Sequence, residues 1–220
     1  MHALEKPHFI NLLFQRIIAL LEIGLVCTIC KLFGTADGTI AAILLLFLHR
    51  RTALIQMLKS LILWQSRFRV VVLFTGVIWI LILLLPQLLS FAGLSRPDDS
   101  SFADQIQGDL AALVSILLKV WTTVAFGEEM LGRVFLIDRF EAVFKGIPGA
   151  TALSVILASI LFGLAHAYQG PSGVILAGTI GIILSVLYLQ QKRSIWTNVV
   201  VHGMVDTVAM LLLFFGVKFL

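Results

Sequence analysis

Charge is what this sequence has least of. Only 13% of its 220 residues are Asp, Glu, Lys or Arg, while 60% are hydrophobic. Soluble globular domains run at about 25% charged and about 45–50% apolar. A soluble fold is therefore excluded, and a mean hydropathy of +1.05 places the chain among integral membrane proteins with several spans. Cysteine is almost missing. Cys27 and Cys30 stand alone; a CxxC can be a redox pair or half a zinc site, but no second ligand pair lies nearby and both fall in the first apolar helix, where they read as packing residues. A cleavable signal is not expected, because the first apolar run follows Arg16, contains Glu22 and offers no small-residue cleavage site. No internal repeat is present, which argues against a transporter built from inverted halves. No HExxH zinc motif occurs. No Ser or Cys sits beside a base in the segments that carry polar residues, so a covalent nucleophile is not expected.

What is present is a series of apolar runs at about 14–33, 36–49, 70–94, 109–137, 150–168, 172–190 and 195–219. A helix crossing needs roughly 20 residues, so the expectation is an all-α fold, a polytopic membrane helical bundle of about seven transmembrane helices, with the second run short for a span. The loops polarise. Arg50, Arg51, Lys59, Arg67 and Arg69 occupy one, Arg139 and Lys145 another, Lys192 and Arg193 a third, while Asp98, Asp99, Asp104 and Asp109 collect in a loop with only Arg96. By the positive-inside rule the basic loops and the N-terminus are cytoplasmic. The net charge of +4 comes from helix ends, where it sets orientation, and no nucleic-acid partner is expected. Residues 50–69 read as a basic amphipathic helix on the anionic inner surface, a contact with membrane lipids. The loop around Pro97 reads as disordered. Gly173, Ala177, Gly181 and Ser185 recur every four residues and form a packing stripe. The organisation expected is 1–108 for N-terminal membrane helices with the basic segment, and 109–220 for the functional core.

The chemistry is concentrated in that second part. Glu128 and Glu129 are adjacent in an apolar run, with Arg133 four residues on. A charge at the centre of a spanning helix costs roughly 2.5–3.5 kcal/mol on insertion scales, so this group needs a reason. Glu129 and Arg133 share a helix face and can pair; Glu128 points about 100° away on an α-helix and is free for other work. Phe162 and His166 form a second i,i+4 pair, with the ring walling the site, and His202 and Asp206 a third, in which Asp206 is expected to orient His202. Each pair alone has a bland reading as ion pair, interfacial histidine or packing glue; three on separate helices point to a shared site. At 1.5 Å per residue, Glu128 lies roughly 16 Å and His202 about 10 Å from the cytoplasmic side, with His166 near the opposite end. The groups converge only if the fifth helix starts late, tilts, or enters as a re-entrant segment.

The order EExxxR, FxxxH, HxxxN/D over residues 109–215 resembles the CPBP family of intramembrane proteases, which includes type II CAAX prenyl endopeptidases and bacterial bacteriocin-processing or immunity (Abi-like) proteins. The resemblance implies roles. Glu128 would activate the attacking water, Glu129 and Arg133 would support it, His166 would help hold the water, and His202 would stabilise the oxyanion. Asp206 falls where the family often has Asn, and Gly132-Arg133-Val134 replaces the usual Phe-Arg-Gly. Metal use stays open: Glu128, His166 and His202 form a reasonable Zn²⁺ ligand set, and the family has been argued both as metallo- and as glutamate-type.

The expected function is thus an intramembrane endopeptidase cleaving a membrane-associated peptide or protein, in a CAAX-type, peptide-maturation or bacteriocin-immunity role, in a prokaryotic plasma membrane. The rival is a proton-coupled transporter, since intramembrane Glu, His and Asp chains are also proton relays. A second rival, a scaffold binding partner helices, predicts that His166 and His202 can be lost without effect.

Overall fold

The computed structural model describes residues 5–60, 67–94 and 101–217, and among these residues the regular structure is all helix, joined by short turns. In chain order the helices are α1 (Glu5–Phe33), α2 (Thr35–His49), α3 (Arg51–Ser60), α4 (Phe68–Phe91), α5 (Ser101–Ile106), α6 (Leu110–Lys119), α7 (Ile137–Val143), α8 (Ala150–Ala165), α9 (Gly170–Gln190) and α10 (Trp196–Phe214). Between α6 and α7 the chain stays helical but widens into two π-helical stretches, Val120–Glu128 and Met130–Leu136. The result is one run of 34 residues, Leu110–Val143.

Among the described residues, five helical runs are long and apolar enough to cross a membrane: 10–33, 68–91, 110–143, 167–190 and 196–214. Two of the seven expected spans fall short. Thr35–His49 has 15 residues and Ala150–Ala165 has 16, lengths of about 22 and 24 Å against a hydrocarbon core of about 30 Å. The length and composition of these helices fit a polytopic helical membrane bundle.

Local chemistry sets the breaks. Gly34 at φ +111 separates α1 from α2, a conformation that side chains disfavour, and the two helices fold back on each other with the Cys30 side chain filling the space beside Gly38. Asp109, placed by its charge in an outer loop, caps α6 by accepting hydrogen bonds from the backbone N–H of Ala111 and Ala112. Basic residues 50–69 do not form one surface helix: α3 ends at Ser60, and Phe68 and Arg69 already belong to α4, while 61–66 and the Pro97 region lie outside the described residues.

Two apolar clusters organise the packing. One joins α1, α2, the 110–143 run and α8 through Val26, Leu46, Met130, Phe135, Ile137 and Ala158; the other joins α4, α9 and α10 through Ile78, Leu176, Leu184, Leu187 and Val201. Helices α8 and α9 are in the closest register, because a Cβ on Gly163 would meet the Val174 carbonyl at 2.6 Å. The small-residue stripe Gly173, Ala177, Gly181 and Ser185 is buried, with Gly181 against Ser159 of α8. Small residues let backbones approach where lipid offers no hydrophobic drive to associate. The boundary expected at 108/109 is crossed by many contacts: α1 packs on α7, α2 on both π-helical stretches, and α4 on α9 and α10.

Candidate functional site

The centre of the site is Glu129, which has no exposed surface. Its Oε1 accepts from His202 Nδ1 at 3.0 Å. Its Oε2 accepts from Asn198 Nδ2 at 3.0 Å and lies 3.1 Å from Arg133 Nε. Arg133, only 1% exposed, also rests on the Phe162 ring with its guanidinium carbon 4.8 Å from the ring centroid, a cation–π arrangement. A carboxylate held by three partners cannot swing to act as a base. Glu129 is the fixed point around which the others are arranged.

Glu128 behaves differently. One of its oxygens, Oε2, is buried and makes no hydrogen bond among the described residues. It faces His202 Nε2 at 3.9 Å, and Asp206 Oδ2 faces the same nitrogen at 3.6 Å. Both separations exceed hydrogen-bond length. Adjacent carboxylates reach one imidazole because the helix is π-wound here. A π turn closes i→i+5 hydrogen bonds and holds more residues than the 3.6 of an α turn, so Glu128 and Glu129 diverge by less than the 100° expected from the sequence.

His166 sits at the C-terminal end of α8, half-buried, with Nδ1 bonded to the Phe162 carbonyl at 2.8 Å. A carbonyl only accepts, so Nδ1 carries the proton and Nε2 of the neutral ring is a free acceptor. The Phe162 ring lies 4.8 Å from the His166 ring and 6.5 Å from the His202 ring. The carboxylate of Glu128 interacts electrostatically with both imidazoles and with Asp206. The convergence problem posed by the helix lengths is resolved by α8 itself. It has 16 residues, fewer than a full crossing needs, and its end at Ala165 sets His166 against the Phe162 ring of the site.

All six ionisable residues singled out from the sequence, with Phe162, are therefore gathered in one place. Two details differ from expectation. His202 is oriented by Glu129 at Nδ1, not by Asp206, which stands beyond hydrogen-bond range of Nε2. Phe162 does more than wall the site, since it carries Arg133 on its face. Among the described residues, no three His, Cys, Asp or Glu side chains are gathered as a metal ion requires. Glu128, His166 and His202 as placed do not fit a zinc ligand set.

Residues 110–208 match the family model described as type II CAAX prenyl endopeptidase Rce1-like. The second half of the chain carries an Rce1-like domain. No curated protein and no solved structure matches the chain. The resemblance carried by the three motifs is borne out, and the family supports an intramembrane endopeptidase in general. Every motif residue of the Rce1-like domain named above lies within the matched segment.

The molecule also contains a second polar assembly that the motifs did not announce, and it joins the matched segment to the helices before it. Glu22 of α1, 5% exposed, binds His49 Nδ1 at 2.5 Å and Arg139 Nη1 at 2.7 Å. Arg139 pairs with Asp138, and Asp138 accepts from Arg50 Nη2 at 2.7 Å. Arg193 Nη2 donates to Glu141 at 2.7 Å, and this bond raises the Arg193 pKa further above the ordinary guanidinium value. A cavity of about 240 Å³ opens among Arg50, Thr52, Val134, Asp138, Glu141, Tyr188 and Arg193. Its lining includes none of Glu128, His166 and His202. Three basic loops meet here, and their charges are matched by carboxylates on α1 and α7.

Proposed function

We propose that the chain is an intramembrane endopeptidase that hydrolyses a peptide bond of a membrane-associated peptide or protein by direct attack of water. The observation that carries this reading is the gap between Glu128 Oε2, buried and unpaired, and His202 Nε2, 3.9 Å away. A water lying between them and His166 has an acceptor in Glu128 for its proton. As the water oxygen bonds to the scissile carbonyl carbon, its proton passes to Glu128, and charge develops on the carbonyl oxygen. Nε2–H of His202, oriented through Nδ1 by the immobile Glu129, is the donor placed to stabilise that charge. Glu128 then returns its proton to the departing amine as the C–N bond breaks. The atoms balance without a covalent intermediate.

The proton count supports a working acid–base pair. Nδ1 of His202 donates to Glu129, so a neutral ring would point the lone pair of Nε2 at two carboxylates. In a low-dielectric site at least one proton must reside among Nε2, Glu128 and Asp206. These groups titrate as a set rather than singly. That is the arrangement from which a proton is handed on.

The substrate class follows from the setting: the site lies between membrane-embedded helices and is reached by segments held in or at the bilayer. A CAAX-type tail and a peptide undergoing maturation are both segments of this kind. With the basic ends of α2, α7 and α9 taken as cytoplasmic, Glu128 is about 22 Å along its helix from the Val143 end.

The test is cleavage by the purified full-length chain, assayed with prenylated and unprenylated membrane-anchored peptides. Glu128→Gln keeps shape and removes the base. We expect a drop of about 10²–10⁴ in rate, the range for loss of general acid–base catalysis, with the melting temperature unchanged. A variant that cleaves normally, or one that alters only proton or solute flux in vesicles, overturns the protease reading in favour of a relay.

A further inference from the structure

Asn198 is absent from every motif that marked the site, yet it is one of the most constrained polar residues in the molecule. It is fully buried. Its Nδ2 donates two hydrogen bonds, to Glu129 Oε2 at 3.0 Å and to the backbone carbonyl of Leu184 at 2.6 Å. One amide therefore connects three elements: α10, on which it sits, the carboxylate of the 110–143 run, and α9. Its own Oδ1 is buried and without a partner among the described residues. An amide buried with an unpaired oxygen costs stability, and its position is better explained by the use made of its nitrogen than by packing.

The spacing explains that use. Asn198 and His202 are one helical turn apart on α10, and each takes a different oxygen of Glu129. The carboxylate is gripped from one helix at both oxygens. With Oε2 fixed by Asn198 and Arg133, Oε1 has one direction, and that direction sets the plane of the His202 ring. Without the amide, Glu129 keeps its charge partner but can rotate about its last bond, and the imidazole turns with it. Nε2 then no longer faces Glu128.

We infer that Asn198 is a positioning residue: anchored by one hydrogen bond to the Leu184 carbonyl, its amide donates to Glu129 Oε2 and fixes the carboxylate that orients His202, and so aims Nε2 at Glu128. This rests on the proposed protease reading. Asn198 touches neither water nor substrate in this arrangement; it acts through Glu129.

The experiment uses the full-length chain, a membrane-anchored peptide, and two near-isosteric variants. Asn198→Leu removes the N–H donors. Asn198→Asp removes them while its side chain is ionised, but a protonated aspartic acid has an O–H that can donate to Glu129 Oε2. For Asn198→Leu we expect kcat to fall at least about tenfold, the effect of one misaligned donor, with KM little changed. Asn198→Asp should be slowed in the pH range where its side chain is ionised and should recover relative to Asn198→Leu as pH is lowered through its titration. The acid-side rescue is the signature that a merely structural role would not produce. Imidazole ¹⁵N shifts give a second readout that needs no turnover: His202 should show a protonated, hydrogen-bonded Nδ1 in the wild type and lose that signature in Asn198→Leu. If Asn198→Leu does not fold, the pH profile of Asn198→Asp measured against that of the wild type decides alone. Wild-type kcat in both variants overturns the inference, as does a loss in both with no pH-dependent difference between them. These failures are distinct from failure of the protease reading, which would appear as cleavage surviving Glu128→Gln.

Discussion

Arg133→Met keeps most of the side-chain volume and removes the cation beside Glu129. In the wild type both partners are buried, at 1% and 0% exposure. Removing one member of a buried ion pair costs about 3–5 kcal/mol, because the other charge is left without compensation. Here Glu129 retains its bonds from Asn198 and His202, which moves the charge cost toward the lower end, about 3 kcal/mol. Loss of the guanidinium from the Phe162 face adds about 0.5–2 kcal/mol. The total is about 3–5 kcal/mol. For a chain of this length, 1 kcal/mol shifts Tm by roughly 2–4 °C, so the melting temperature in detergent should fall by about 6–20 °C. The double variant Glu129→Gln with Arg133→Met removes the stranded charge and should recover part of that loss. A fall below about 3 °C for the single variant, or a double variant no more stable than the single, would refute the reasoning that Glu129 is ionised and dependent on Arg133.

Other substitutions test the packing and the candidate water site. A Cβ on Gly203 would lie 2.7–2.8 Å from the Trp121 ring, so Gly203→Ala should cost about 1–3 kcal/mol by overpacking and lower Tm; trimming Trp121 to Leu in the same chain should restore part of it, and no rescue would mean the ring is not the obstacle. His166→Ala removes a half-buried ring at a helix end, so Tm should move by less than about 3 °C while peptide cleavage falls about 10²-fold or more; full activity in this variant would remove His166 from the water site.

The residues that carry chemistry were legible because each is costly where it stands. A glutamate pair, an arginine and two histidines inside apolar runs cannot be explained by lipid contact, and their i,i+4 spacing already put partners on common faces. The geometry around them was less legible for specific reasons. A π-wound segment differs from an α-helix in hydrogen-bond register, and nothing in the Val120–Leu136 composition announces that change. Asn198 was passed over because it lies near the start of a helix, where a polar residue is ordinary. Its signal was the full series Asn198, His202, Asp206 at i, i+4, i+8, of which only the last two were paired. Apolar runs at 36–49 and 150–168 gave the right elements, but hydropathy does not reveal whether a helix crosses the bilayer or ends inside the bundle. The bonds from Glu22 to Arg139 and from Arg50 to Asp138 join residues some ninety or more positions apart in the chain, a separation at which local pattern carries no information.

Those bonds give the molecule a boundary that differs from the footprint of its family. The matched segment begins at residue 110, yet two of its carboxylate-bearing and guanidinium-bearing side chains, Asp138 and Arg139, find partners on helices that precede it. An excised 110–208 fragment would expose half-neutralised charges at one end and the bare apolar flank left by α1 and α2 along its side. Helices α1 and α2 are thus one wall of the same building, and the matched segment is expected to need them for stability.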